Sequence, residues 1–478
     1  MIVDLRPVAL EDARQIFKWQ IHPGIRQFFR NTNPPEWQDH LDWIKKNLAN
    51  QNKYLFLISA DSFACGFLHL TRIGLAEFEV SILVSAEWQG KSIAKNGLLI
   101  LRKKFPLSIF RAEVKKENIA STKLFLSAGF EQIADNQYVA FPNRVRGSCV
   151  IRANSGKGVG LGHLRRCLEL ALKLQQKDCY VLFIDPQDHD IHRIVTSFGF
   201  DVINSPDQEH AICQTAEGAD ILLIDHYELN ITAIAQCPYR TWKLAVFEDI
   251  GKRELPVDMA INGSPSAYNM DLSKLGAKET LVGPDFQIIR SDLRNLSFSR
   301  ELDRRPTECL VTIGASDGNG FLNNLAIFVE QEICPRWKNL HINLVVGPEV
   351  SRVPVIRVRE ITVHHAPENM AELIAASDIA LSASGQTLTE LLYSAVPTIA
   401  ICLAENQLEN IRAFEKENCI ISVGSVKSKD WKEKVLQAFS RLMLDTALRK
   451  ELSNNATRLI DGRGAERIAS VLMGYVNH

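Results

Sequence analysis

The chain of 478 residues has no uninterrupted run of 18 apolar residues, which excludes a membrane-spanning helix. Its N-terminus, Met1-Ile-Val-Asp-Leu-Arg6, lacks the apolar core of a secretory signal. Ten cysteines are present, but none forms a CxxC pair or stands at a Cys/His spacing suited to zinc. They read as buried thiols in a reducing, cytoplasmic setting, with no metal expected. A net charge of −1 removes the electrostatic case for nucleic acid or an anionic membrane surface. Short-period repeats and low-complexity segments are missing too. What remains, 46% hydrophobic and 23% charged residues over a length too great for one core, predicts a globular chain of two or three domains.

Three α/β blocks are expected, at 1–145, 148–295 and 300–478. The first alternates strands (Tyr54–Ser59, Cys65–Thr71, Phe78–Val84) with helices such as Ile93–Lys104, and closes near Tyr138–Phe141. The turn-rich Phe141-Pro-Asn-Arg-Val-Arg-Gly147 serves as a linker. The other two blocks are runs of short apolar strands separated by helical stretches, among them Cys149–Ala153, Ile221–Ile224, Leu310–Ile313 and Ile379–Ser382. Such runs predict parallel, doubly wound sheets covered on both faces, with ligand held at the strand C-termini between two Rossmann-type domains.

The most informative stretch is Gly158-Val-Gly160-Leu-Gly162-His163, between the strand at Cys149 and a helix reading Leu164–Leu174. Glycines there let backbone approach a ligand, and the helix N-terminus favours an anion. A histidine at that mouth suits acid–base chemistry near neutral pH. Further polar residues stand at successive strand ends: Asp225-His226-Tyr227, Glu248-Asp249 and Asn262. Asp225 either orients a histidine or caps the next helix. In the third block Gly314-Ala-Ser-Asp317 and Ser384-Gly385-Gln-Thr387 place small and hydroxylic residues at helix N-termini, where a pyrophosphate fits. Glu390, one turn further, is positioned for a ribose diol, and Asn406-Gln407 open another helix.

Taken together, Ile151-Arg-Ala-Asn-Ser…Gly160-Leu-Gly-His163-Leu-Arg-Arg166, Ile224-Asp-His-Tyr227, Gly314-Ala-Ser-Asp317 and Glu405-Asn-Gln407 resemble the UDP-sugar hydrolases of pseudaminic acid biosynthesis, which are similar in fold to GT-B glycosyltransferases. The resemblance covers 148–478. It implies metal-free hydrolysis of UDP-2,4-diacetamido-2,4,6-trideoxy-β-L-altropyranose to UDP and free sugar, with His163 as general base. It further implies a nucleotide-sugar contact by Asn406, ribose contact by Glu390 and a place near the substrate for Arg290; Gly162, at the helix N-terminus, is a further substrate-binding candidate. The family often carries aspartate where Asn154 stands. A UDP-sugar glycosyltransferase is the alternative for this fold.

In the first block, Val84-Ser-Ala-Glu-Trp-Gln89-Gly90-Lys91-Ser92-Ile93-Ala94 resembles the acetyl-CoA loop of GNAT acetyltransferases, with Ser92 where glycine is usual. Asn118, in Val114-Lys-Lys-Glu-Asn118, matches the asparagine of the second signature, while Phe125 replaces the usual acid tyrosine. This implies acetyl-CoA as co-substrate, with Tyr138 or water as proton donor. The pattern Phe17-Lys-Trp19…His22-Pro23…Ile25-Arg-Gln-Phe28 resembles the N-acetyltransferase that modifies the 4-amino group one step before the hydrolase. Trp19 and His22 then face substrate, and Glu77 or Glu79 steers a water. A non-catalytic acetyl-CoA or sugar-nucleotide module is the alternative for this block. The whole is therefore expected to be an N-terminal GNAT α/β domain followed by a GT-B-like pair, acting on small-molecule UDP-sugars.

Overall fold

The computed structural model describes residues 2–142, 145–154, 161–185, 188–206, 208–251, 253–296, 300–314, 320–348, 350, 352–404 and 407–476. Three sheets succeed one another along the chain. The first holds β1 (Val3–Pro7), β2 (Lys53–Ala60), β3 (Phe63–Gly74), β4 (Glu77–Val84), β5 (Ile109–Glu113), β6 (Glu131–Ala134) and β7 (Gln137–Ala140), in the order β1-β2-β3-β4-β5-β7-β6. It is antiparallel except where β4 runs parallel to β5.

The second sheet is parallel: β8 (Gly147–Ala153), β9 (Cys179–Asp185), β10 (Asp201–Asn204), β11 (Ile221–Asp225), β12 (Lys243–Phe247), β13 (Met259–Asn262) and β14 (Glu279–Val282), ordered β10-β9-β8-β11-β12-β13-β14. The third is parallel too: β15 (Glu308–Thr312), β16 (His341–Val346), β17 (Ile361–His365), β18 (Ile379–Ala383), β19 (Thr398–Cys402) and β20 (Ile420–Ser425), ordered β17-β16-β15-β18-β19-β20. Central strands such as β9, β11 and β19 are buried along their whole length, because helices cover both faces.

Strand order reverses between β8 and β11 in the second sheet and between β15 and β18 in the third. At such a point the neighbouring connections leave to opposite faces, which opens a crevice beyond the strand C-termini. The crevices lie beside Asn154 and Asp225 in one sheet, and beside Gly314 and Ser384 in the other.

Although it follows the third sheet in sequence, the helix Gly464–Gly474 packs on the helix Gly162–Gln176. Its Ala465, Ile468, Ala469 and Leu472 join the core of the second sheet. A Cβ on Gly464 would overlap the backbone of Gln287, so glycine is what permits that close approach. The ten cysteines are free, and nine of them are buried.

Four short strands that the sequence pattern does not predict (β6, β10, β14 and β20) each form the edge of a sheet. An edge strand of four to six residues is only partly covered, and β6 is exposed throughout, so little alternation marks it.

Candidate functional site

The helix Gly162–Gln176 starts at the crevice of the second sheet, and its first turns direct two side chains at Asp225. His163 Nδ1 lies 2.7 Å from Asp225 Oδ1. Arg166, one turn on, grips the same carboxylate twice, Nε to Oδ2 at 2.6 Å and Nη2 to Oδ1 at 2.5 Å. It also reaches Asp249 at 2.8 and 3.2 Å, and Tyr227 Oη donates to Asp249 Oδ2 at 2.7 Å. The Tyr227 ring meets the His163 ring edge-on at 4.8 Å, and the Arg166 guanidinium lies over Phe247 at 4.5 Å. Arg253 fixes the loop behind, bonding Glu248 Oε2 at 2.6 Å and the His226 carbonyl at 2.7 Å.

Asp225 is fully buried. Burial alone would raise its carboxyl pKa, but Arg166 and His163 override this and hold it well below the usual carboxylate range. An ionised carboxylate only accepts, so Nδ1 carries the shared proton, and the 3.2 Å approach of Arg166 Nη2 to Nδ1 is proximity rather than donation. With Nδ1 bearing that proton, a lone pair available for chemistry can only be on Nε2, which makes no hydrogen bond among the described residues. Of the two readings of Asp225, the orienting one holds: the next helix, Ile231–Ala235, is capped by Asn230, whose Oδ1 accepts from the Ala233 amide.

His163, Asp225, Tyr227 and Asp249 thus converge, with Gly162 opening the helix and no described residue within 4 Å of where its Cβ would stand. Asn154 is buried beside them, its amide on the Asp225 carbonyl at 2.6 Å. His226 is buried, and its Nδ1 accepts from the Glu228 amide. Asn262 is buried with its Oδ1 on the Ser264 amide. Gly158, Gly160, Asp317, Glu405 and Asn406 lie outside the described residues. Arg166 and Arg253 were not anticipated individually, although the i, i+3 spacing of His163 and Arg166 on one helix carried the signal for the first.

On the third sheet, Gly314 has φ +98° and follows β15. Ser384 is buried, and Gly385 caps the helix Gln386–Tyr393 with no described residue within 4 Å of where its Cβ would stand. Thr387 is half-buried in the first turn of that helix. Glu390 is 5% exposed, and its carboxylate has no hydrogen-bond partner among the described residues. Burial pushes its carboxyl up to about 7, against the pull of Arg290 and Arg165. Arg290 pairs with Asp292 at 2.5 Å. Gln407 Oε1 accepts from the Leu403 amide at 3.0 Å, holding the loop after β19. The halves meet where Ser266 Oγ donates to Asn410 Oδ1 at 2.6 Å.

In the first sheet β4 and β5 pair over three residues, ending at Glu79↔Arg111, and then part. Beyond Val84 the loop turns through Gln89, whose Nε2 donates to the Val84 carbonyl at 3.3 Å, and Gly90 at φ +72°. Lys91 lies over the Trp88 ring at 4.7 Å. Ser92 has φ +59° and precedes the helix Ile93–Lys104, so the residue standing for glycine is held in the left-handed region. Ile93 is buried under this turn, and Ala94 is half-buried. Asn118 caps the helix Ile119–Ser127, its Oδ1 accepting from the Ser121 amide at 3.0 Å. Phe125 and Tyr138 are both buried, with Tyr138 Oη on Thr122 Oγ1 at 3.3 Å. Trp19 is buried in the core, and His22 is exposed. Glu77 is paired with Arg111 and Glu79 with Arg30.

These features define an α/β chain with an acetyltransferase unit ahead of a GT-B-like pair. Residues 3–131 match the model of the acetyltransferase (GNAT) domain, and residues 308–468 match that of the glycosyltransferase family 28 C-terminal domain. The kitacinnamycin glycotransferase has a similar fold, with a TM-score of 0.53 at 15% identity, covering 69% of this chain and 99% of that one.

Among its relatives, the chain is 24% identical over 338 residues to the spore coat polysaccharide biosynthesis protein SpsG of Bacillus subtilis, covering 67% of this chain and 96% of that protein. It is 24% identical over 266 residues to the pseudaminic acid cytidylyltransferase and UDP-2,4-diacetamido-2,4,6-trideoxy-beta-L-altropyranose hydrolase of Helicobacter pylori, covering 54% of this chain and 44% of that protein. Acetyltransferase PseH of Campylobacter jejuni is 26% identical over 121 residues, covering 24% of this chain and 74% of that protein. Among the described residues no helix is long and apolar enough to cross a membrane.

Proposed function

We propose that the chain is a bifunctional sugar-nucleotide enzyme. Its first unit, 1–145, transfers acetyl from acetyl-CoA to the 4-amino group of a UDP-sugar. The paired units at 148–295 and 300–478 then hydrolyse the resulting UDP-2,4-diacetamido-2,4,6-trideoxy-β-L-altropyranose to UDP and free sugar. The observation that carries the second activity is the His163 imidazole, tethered through Nδ1 to a buried carboxylate, with Nε2 making no hydrogen bond among the described residues.

In this reading Nε2 takes a proton from water as the oxygen attacks the anomeric carbon. The new C–O bond forms while the bond from that carbon to the diphosphate oxygen breaks, and UDP leaves. Backbone amides at the starts of the helices Gly162–Gln176 and Gln386–Tyr393 face the departing charge. Glu390, without a hydrogen-bond partner among the described residues, accepts from the ribose diol. Gly162, Tyr227, Asp249, Asn262, Arg290, Gly314, Ser384, Gly385, Thr387, Asn406 and Gln407 complete the substrate surface, with His226 supporting the loop beneath.

In the first unit the gap between β4 and β5 takes the amide-bearing arm of acetyl-CoA. The loop Val84–Ala94 takes its pyrophosphate, and Asn118 Nδ2 remains available to the arm. With Phe125 and Tyr138 buried, water returns the proton to the leaving thiolate. One assay tests both activities: the 4-amino UDP-sugar is supplied with acetyl-CoA and the products are weighed by mass spectrometry. Free diacetamido sugar with UDP is expected. Acetylated UDP-sugar that accumulates intact contradicts the hydrolase, and sugar recovered on an added acceptor favours a transferase.

A further inference from the structure

The chain that joins the second sheet to the third is pinned from both sides. Glu169, of the helix Gly162–Gln176, accepts from the Ser291 amide at 2.7 Å and from Arg294 Nη2 at 3.2 Å. From the other side Gln386 Nε2, of the helix Gln386–Tyr393, donates to the Ile288 carbonyl at 2.7 Å. Gln287 Nε2 donates to Thr389 Oγ1 at 3.2 Å. Arg165 stands four residues before Glu169, so it shares that helix face one turn nearer the N-terminus. Glu390 follows Thr389, and Arg290 belongs to the pinned segment. Arg165, Arg290 and Glu390 are thereby gathered within electrostatic reach of one another.

Their charges are unequally matched. Arg290 is taken by Asp292, bonded through Nε at 2.6 Å and Nη2 at 2.5 Å. The Arg165 guanidinium makes neither an ion pair nor a hydrogen bond among the described residues; only its backbone amide is engaged, on the Leu161 carbonyl at 2.9 Å. The side chain is exposed, yet surrounding protein, and then the like charge of Arg290, lower its pKa. A group open to water and walled by protein at once lines a concave surface. A guanidinium beside a second one, with no carboxylate bound to it, is repelled by its neighbour, and an anion that reaches it removes that cost. Its planar fork of donors suits phosphate.

The direction of the side chain says which phosphate. Residues two apart leave a helix about 200° from each other. His163 turns toward Asp225 in the second sheet, and Arg165 toward the third. A nucleotide-sugar laid across this helix N-terminus meets the base at its sugar end and the guanidinium at its diphosphate.

We propose that Arg165 binds the β-phosphate of the nucleotide-sugar and carries the charge that develops there as UDP departs. The assignment rests on the hydrolase reading above, and adds a side-chain cation to its backbone amides. Water oxygen bonds the anomeric carbon and His163 takes the water proton. The electron pair of the broken C–O bond passes to the β-phosphate oxygen, so the diphosphate gains one negative charge. Arg165 donates to that phosphate and keeps its own protons. The site thereby selects a nucleoside diphosphate over a monophosphate.

The test compares wild type with Arg165→Ala and Arg165→Lys for UDP release, for UDP and UMP affinity by calorimetry, and for melting temperature. Arg165→Ala should lower kcat at least about 100-fold. UDP affinity should fall at least about 10-fold while UMP affinity holds within about threefold, because UMP lacks the β-phosphate. Added guanidinium should restore part of the rate, and lysine should keep more of it than alanine. A kcat within about threefold of wild type overturns the assignment, as does an equal weakening of UDP and UMP or a loss that merely follows melting temperature. Wild type that binds UDP but releases none from the UDP-sugar overturns the hydrolase reading, a separate outcome; the comparison of UDP with UMP then still decides whether Arg165 meets the β-phosphate.

Discussion

Asp225 Oδ1 and His163 Nδ1 stand 2.7 Å apart across 62 residues of chain, and Arg166 closes on the same carboxylate from the other side. The carboxylate fixes which ring nitrogen bears the proton and how the ring is turned. Asp225→Asn keeps the shape but removes the charge. UDP release from the acetylated UDP-sugar should then fall by roughly 100-fold or more, with little change in substrate affinity. Steady-state kinetics with a coupled UDP assay checks this. Unchanged turnover would mean that the pair serves folding alone.

Glu390 sets a pH-dependent cost. Its folded carboxyl is raised to about 7, above the ordinary value of about 4.3 in an unfolded chain. The stabilising protonated form is fully present below about pH 4 and is lost as pH rises through about 7. Glu390→Gln should therefore match wild type near pH 4 to 5 and exceed it near pH 8 by about 2–3 kcal/mol. Denaturant unfolding at both pH values reads this directly. The same variant should bind UDP more weakly if the carboxylate accepts from a ribose diol.

Ser92 offers a test confined to the loop of the first unit. An L residue at φ +59° carries a left-handed backbone that glycine adopts freely. Ser92→Gly should stabilise by about 0.5–1 kcal/mol, the relief of strain being partly offset by the freer unfolded chain. Calorimetry with acetyl-CoA should show affinity equal to or above wild type. A lower melting temperature would contradict this account of the turn.

Arg72 joins the first sheet to the second. It lies 2.8 Å from Tyr180 Oη and 3.0 Å from Asp201 Oδ2, and Tyr54 Oη donates to Asp201 Oδ1 at 3.0 Å. Both charged side chains are largely buried. Removing one partner by Arg72→Leu strands Asp201 and should cost about 3–5 kcal/mol. Limited proteolysis should then separate the first unit from the rest. A variant cleaved no faster than wild type would show that the remaining contacts, among them Tyr54 with Asp201 and Gln51 with Asn204, hold the units together without Arg72.

Much of this architecture was legible in the sequence because the central strands are continuous apolar runs. Their C-terminal polar residues, Asp225 and Asp249, stand where the chain leaves the sheet. The α/β class and the order of a GNAT unit before a GT-B-like pair follow from such runs and from the motifs around His163 and Gln89. The short edge strands β6, β10, β14 and β20 did not show, since partial exposure erases their pattern. Nor did the role of Arg72: its partners Tyr180 and Asp201 lie more than a hundred residues away, and no local spacing announces a contact of that range. Trp19 shows the converse, because an aromatic quoted for a substrate face packs in the core.

The account depends most on His163 acting as the base, and one comparison tests it directly: UDP release by wild type and by His163→Asn in the presence of UDP-sugar and water alone. Loss of at least about 100-fold, with melting temperature and UDP binding maintained, is predicted. Near-normal release by the variant would contradict it.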